Sequence, residues 1–130
     1  MKKITVSLGK QNYKMLVSSE TNTLIADEPL DKGGQDLGFS PSQLLASSLA
    51  SCTAATIQMY ASRKEWEIDH ITVAVQYDLN REDGTSYFEK EIEISGNITP
   101  EQKKRLLMIA NKCPIHKVLT NEVSITSTII

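Results

Sequence analysis

The sequence predicts a mixed α+β fold, and three observations carry the prediction. Short alternating apolar–polar runs open the chain. A long uncharged stretch of small residues follows, and it begins with residues that start helices. Two long alternating runs then flank an Asp-Gly turn. At 130 residues the chain suffices for one domain, 1–130, and is short for two.

Ile4-Thr5-Val6-Ser7-Leu8 alternates with the period of a half-buried strand and is closed by Gly9. Tyr13 to Val17 reads as a return strand and Thr23 to Ala26 as a third. The glycines and charges of Asp31-Lys32-Gly33-Gly34-Gln35-Asp36-Leu37-Gly38 mark a loop. Ser40 can then cap a helix, Pro41 suits its first position, and Gln43 falls where its side chain reaches back to the cap. This helix is expected over Pro41–Ser62. Its many Ala, Ser and Thr residues let other backbones approach closely, which predicts burial on most sides. Ile71, Val73, Val75, Tyr77 and Leu79 alternate with polar residues. Ser86 to Ser95 returns beyond the Asp83-Gly84 turn, giving a long hairpin. Thr99, Pro100 and Gln102 repeat the helix-start pattern for a second helix ending near Asn111. Cys113-Pro114 opens a short helical turn through Leu119, and Asn121 to Ile130 is expected as a closing strand with Val123, Ile125 and Ile129 on one side.

Composition narrows the function. A hydrophobic share of 40% with 23% charge excludes a disordered chain, and an aromatic share of 5% leaves the core to Ile, Leu, Val, Met and Ala. A net charge of -2 and a pI near 5.7 provide no basic field for nucleic acid. Lys103-Lys104-Arg105 reads as the solvated face of the second helix. The N-terminal residues lack the apolar core of a secretory signal. The uncharged stretch Leu37–Ser62 is too rich in Ser, Thr and Gln to span a membrane. The expectation is a cytoplasmic protein without membrane or nucleic-acid partners. In that compartment two cysteines are free, catalytic or transiently bonded rather than a permanent staple.

Those cysteines, Cys52 and Cys113, are the candidates for chemistry. Cys52 falls mid-helix, where a free Cys is commonly an inert core residue and the helix-terminal dipole has faded. Cys113, directly before Pro at a helix start, sits among unpaired backbone N–H groups that favour a thiolate; alternatively it only caps the turn. If the two meet in space, one thiol attacks and the other resolves. His116, one turn beyond Cys113, could help ionise it; alternatively it is simply a partly exposed histidine. Cys113, His116, Cys52 and His70 could in number form a zinc site, but only one closely spaced pair is present, so the reading includes neither metal nor cofactor.

The run Ser40-Pro41-Ser42-Gln43-Leu44-Leu45-Ala46-Ser47-Ser48-Leu49-Ala50-Ser51-Cys52 resembles the central-helix motif of the OsmC family, which includes the organic hydroperoxide resistance proteins. Cys113-Pro114-Ile115-His116-Lys117-Val118-Leu119 resembles its second cysteine motif, and the order of elements is similar along nearly the whole chain. The resemblance implies an OsmC-like α+β fold, with antiparallel sheets around two central helices in an intertwined homodimer and sites at the dimer interface. It implies a thiol-dependent peroxidase of the stress response. Cys52 would attack an organic hydroperoxide, Cys113 would resolve the sulfenic acid as a disulfide, and a dithiol would restore the thiols. The chain departs from the peroxidase pattern at two points. Ser42 stands where the family carries Glu after the motif proline, and no arginine precedes Cys52, the three being Arg63, Arg81 and Arg105. Lys32 in the loop could supply a charge but not the planar fork of Arg, and Ser42, Gln43 and His116 stand with it as auxiliary candidates. These departures mark a divergent branch. They also support a second reading, a non-enzymatic redox-responsive or small-molecule-binding protein on the same scaffold.

Overall fold

A computed structural model describes residues 1–130, which divide into two compact units, Met1–Leu45 and Ala46–Ile130. In the first unit, β1 (Thr5–Leu8), β2 (Met15–Ser18) and β3 (Thr23–Ala26) form an antiparallel sheet in the order β1-β2-β3. The β2–β3 turn is held by Ser19, whose hydroxyl accepts the backbone N–H groups of Thr21 and Asn22. A short 3-10 turn, Leu30–Lys32, follows β3.

The loop after β3 is organised by a buried carboxylate. Asp27 accepts backbone N–H groups from Tyr13 (3.2 Å), Glu28 (2.8 Å), Gln35 (3.2 Å) and Leu37 (3.2 Å), and it is fully buried. Burial pushes its pKa upward, but the four donors outweigh that and hold it below the ordinary carboxylate value. Gly34 and Gly38 are required by close approach, because a Cβ at either would collide with the carbonyl of Glu28 or Ile25.

The helix α1 spans Pro41–Arg63. Its start is the reciprocal cap that Ser40 and Gln43 predict: Gln43 N–H donates to Ser40 Oγ (3.3 Å), and Ser40 N–H to Gln43 Oε1 (2.8 Å). It ends where Glu65 turns left-handed (φ 58°) and Trp66 N–H returns to the Ala61 carbonyl at 2.9 Å. One stripe is buried, Ala46, Leu49, Thr53, Ile57 and Ala61, at helical spacing. The expectation of burial on most sides is corrected here. Ser51, Ala55, Gln58 and Met59 are exposed, because one chain supplies neighbours to only one face of the helix.

The second unit contains the hairpin of β4 (Ile68–Asp78) and β5 (Tyr87–Gly96), followed by α2 (Pro100–Ala110) and α3 (Pro114–Thr120). The hairpin register sets Ile71 against Ile94, Val73 against Ile92, Val75 against Lys90 and Tyr77 against Phe88. Ile57 and Ala61 of α1 pack with Leu106 and Ala110 of α2 as a buried cluster. Ile71, Ile92 and Ile94 close it from the hairpin. The cap of α2 is the Thr99–Gln102 box in both directions. The expected closing strand does not form. Residues after Asn121 make no ladder, and Val123, Ile125 and Ile129 are exposed, Ile125 by 85%. Alternation gives a segment the faces of a strand, but a strand also needs a partner edge, and nothing in the chain pairs with this one.

Candidate active site

The second unit brings both cysteines into one cluster. Cys113 is the N-cap of α3, as its Cys-Pro context predicts. Its sulfur accepts the backbone N–H of His116 at 3.2 Å. Thr53, the residue after Cys52 on α1, puts its hydroxyl 3.7 Å from the same sulfur, and the Cys52 side chain is near enough to help lower the Cys113 pKa. Both cysteines are free. Cys113 is wholly buried and Cys52 partly exposed.

A lysine completes the cluster. Lys90 Nζ lies 3.2 Å from Thr53 Oγ1, 3.0 Å from the Ala110 carbonyl and 3.4 Å from His116 Nδ1. An ammonium has three protons, and Lys90 has three polar neighbours, with the role of His116 Nδ1 set by its tautomer. Ala110 ends α2, where backbone carbonyls lack helical partners and the helix dipole is negative. Elements α1, α2 and α3 therefore each contribute an oxygen or nitrogen to one side chain projecting from β5.

Electrostatics favour an anion on Cys113. Burial pushes its thiol up. The His116 N–H, the Thr53 hydroxyl, the Cys52 side chain and the Lys90 charge together bring it below its ordinary value. Lys90 is lowered, chiefly by burial, while the charges of Cys113 and Cys52 act in the opposite direction. The higher acidity expected of Cys113 at a helix start thus has a structural basis, and it comes from named neighbours as much as from the turn.

Of the remaining sequence candidates, Lys32, Ser42 and Gln43 belong to the first unit. Ser42 and Gln43 are engaged around the start of α1, where Ser42 Oγ is 3.3 Å from Ser40 Oγ. Lys32 is exposed at the end of the 3-10 turn in the first unit. His70 is exposed on β4, so it does not join Cys113 and His116, and no group of three His, Cys, Asp or Glu side chains is arranged to hold a metal. Sequence reasoning missed Lys90 and Thr53. The signal for Lys90 was present: it occupies an inward position of β5, in line with Phe88, Ile92 and Ile94, where alternation calls for an apolar residue.

A pair of free thiols, one partly exposed and one buried beside a lysine, on helices over an antiparallel hairpin, defines a cysteine-based α+β protein. The family model described as OsmC-like protein matches residues 33–128, and the chain belongs to that family. Its fold is similar to that of a Psychrobacter arcticus protein assigned to osmotic stress induction and detoxification response, with 26% identity, TM-score 0.79, and 91% of this chain and 88% of that one covered. An OsmC-like protein of Mycoplasma pneumoniae is similar at 25% identity and TM-score 0.75, over 92% and 86% of the two chains. An organic hydroperoxide resistance protein of Legionella pneumophila shares the fold at 19% identity and TM-score 0.68, over 92% and 89%. No curated protein sequence matches the chain. No helix is long and apolar enough to cross a membrane.

Proposed function

We propose that the protein is a thiol-dependent peroxidase that reduces organic hydroperoxides, with Cys52 attacking and Cys113 resolving. The observation that carries this reading is the difference in exposure within the pair. Cys52 is open to a substrate from solvent, whereas Cys113 is buried and acidified, as suits a group whose target is another protein atom. With the pair's one remaining thiol proton held on Cys113, the Cys52 thiolate attacks the peroxide oxygen and the O–O bond breaks. The departing alkoxide takes the Cys113 thiol proton to become an alcohol, and Cys52 becomes a sulfenic acid. The Cys113 thiolate then forms the S–S bond and displaces hydroxide, which becomes water. The two sulfurs supply the two electrons that reduce the peroxide, and a dithiol reductant restores both thiols.

The reading takes residues 1–130 as one OsmC-like domain acting in the stress response of a reducing, cytoplasmic compartment, where the thiols regenerate. It also takes the working form as a homodimer, which the exposed alternating residues Val123, Ile125 and Ile129 support. The test is consumption of cumene hydroperoxide by the reduced protein with a dithiol present. Wild type is expected to turn over and Cys52→Ser to lose turnover entirely. Equal consumption by that variant would remove the proposal. A protein that binds a small molecule in solution but consumes no peroxide would establish the ligand-binding reading instead.

A further inference from the structure

We propose that Lys90 is a positioning residue for the sulfur chemistry: acting through Thr53, its ammonium balances the single negative charge of the Cys52–Cys113 pair, and it releases a proton when that charge is lost to the disulfide. The oxidation half of this statement rests on the peroxidase reading; the charge balance concerns the reduced pair alone.

A charge at an inward sheet position is costly unless its hydrogen bonds are complete and a counter-charge is near. The first condition is met by Thr53 Oγ1, the Ala110 carbonyl and His116 Nδ1. For the second, the charges that act on Lys90 are those of Cys113 and Cys52. The groups around it are Cys52 and Thr53 from α1, the Ala110 carbonyl from α2, and Cys113 and His116 from α3 and its cap. On β4, Val75 lies opposite and Tyr77 diagonally opposite. No carboxylate is in this set, so the only anion available to the ammonium is a thiolate.

The consequence is a proton linked to the redox state. Burial lowers the proton affinity of Lys90 and the thiolate restores part of it. When Cys113 sulfur attacks the Cys52 sulfenic acid, the S–S bond forms, the S–O bond breaks, and hydroxide leaves. The thiolate charge is gone, and Lys90 is left as a half-buried cation with no counter-ion. Through the Thr53 hydroxyl one proton passes to the hydroxide, forming water and leaving Lys90 a neutral amine. Reduction of the disulfide regenerates the thiolate and returns the proton to the lysine. A lysine suits this role better than an arginine at the same place, because a guanidinium does not release a proton in a protein.

The test compares wild type with Lys90→Met and Lys90→Arg. Thiolate formation is followed by ultraviolet absorbance as a function of pH in the reduced proteins, and disulfide formation by stopped flow with cumene hydroperoxide. Lys90→Met is expected to move the midpoint of the more acidic thiol up by about one pH unit or more, and to slow disulfide formation about tenfold at neutral pH with recovery in alkali. Lys90→Arg should keep the low thiol midpoint. Circular dichroism checks the fold. If Lys90→Met does not fold, Thr53→Val interrupts the same path in a chain that retains Lys90, and the midpoint should shift in the same direction. An unchanged thiol midpoint in the folded variant overturns the proposal. If the midpoint shifts but wild type forms no disulfide with hydroperoxide, the charge balance stands and the peroxidase reading falls.

Discussion

A threonine hydroxyl has one proton to donate, and Thr53 faces two acceptors: the Leu49 carbonyl at 2.8 Å and the Cys113 sulfur at 3.7 Å. When Cys113 is a thiol the proton belongs with the carbonyl; when it is a thiolate the sulfur competes for it. The lone pairs of the same oxygen hold Lys90 in either case. Thr53→Val removes an acceptor from a half-buried ammonium. It should cost about 1–3 kcal/mol in urea unfolding, more than the loss of one exposed hydrogen bond. At this scale the site was half legible in the sequence. Two cysteines in a composition with few reactive groups drew attention, and Cys-Pro at a helix start foretold the acidity of Cys113. Thr53 carried no signal because Thr is an ordinary helix filler, and its role depends on a sulfur brought to it by distant chain. Lys90 broke the apolar alternation of β5, but a single Lys in a charged strand reads as a solvent-facing residue until the helices above it are known.

Elements were read with different success according to whether their causes are local. Both long helices begin at a Ser or Thr cap with Pro first and Gln at the reciprocal position, and both caps form as that local chemistry dictates. The closing strand failed because ladder formation is decided by a partner that no nearby residue specifies. The packing of α2 is likewise testable at its own scale. Leu106 is fully buried against Ile57, Ala61 and the hairpin, so Leu106→Ala should lower unfolding free energy by about 2–5 kcal/mol, read from the urea transition. In the first unit, the loop after β3 depends on ionised Asp27. A depressed carboxylate contributes stability that is fully present above the ordinary value, about pH 4, and is lost as pH falls through the lower folded value. Protection of the Gln35 and Leu37 amides from hydrogen exchange, relative to the intrinsic rate at each pH, should therefore fall on acidification. Asp27→Asn should show fast exchange already at neutral pH, since an amide presents one acceptor oxygen where the carboxylate presents two.

At the scale of the whole molecule, a chain of the OsmC-like family leaves substantial apolar surface uncovered when described alone. Val6, Leu8, Leu16 and Leu24 of the first sheet are exposed, as are Val123, Ile125 and Ile129 near the C-terminus. Surface of this kind on a small protein signals association. Sedimentation is expected to show a dimer, and removal of residues 122–130 should shift it toward monomer. A wild-type monomer at micromolar concentration would contradict the dimeric reading while leaving the sulfur cluster, which lies within one chain, untouched. The central claim is that Cys52 and Cys113 act as one redox pair. Its most direct test is peptide mass mapping after the reduced protein receives one equivalent of cumene hydroperoxide. The predicted product is a Cys52–Cys113 disulfide within a single chain, lost in either single Cys→Ser variant. Oxidation of Cys52 to sulfinic acid with Cys113 left as a free thiol, and no bond between them, would contradict the claim.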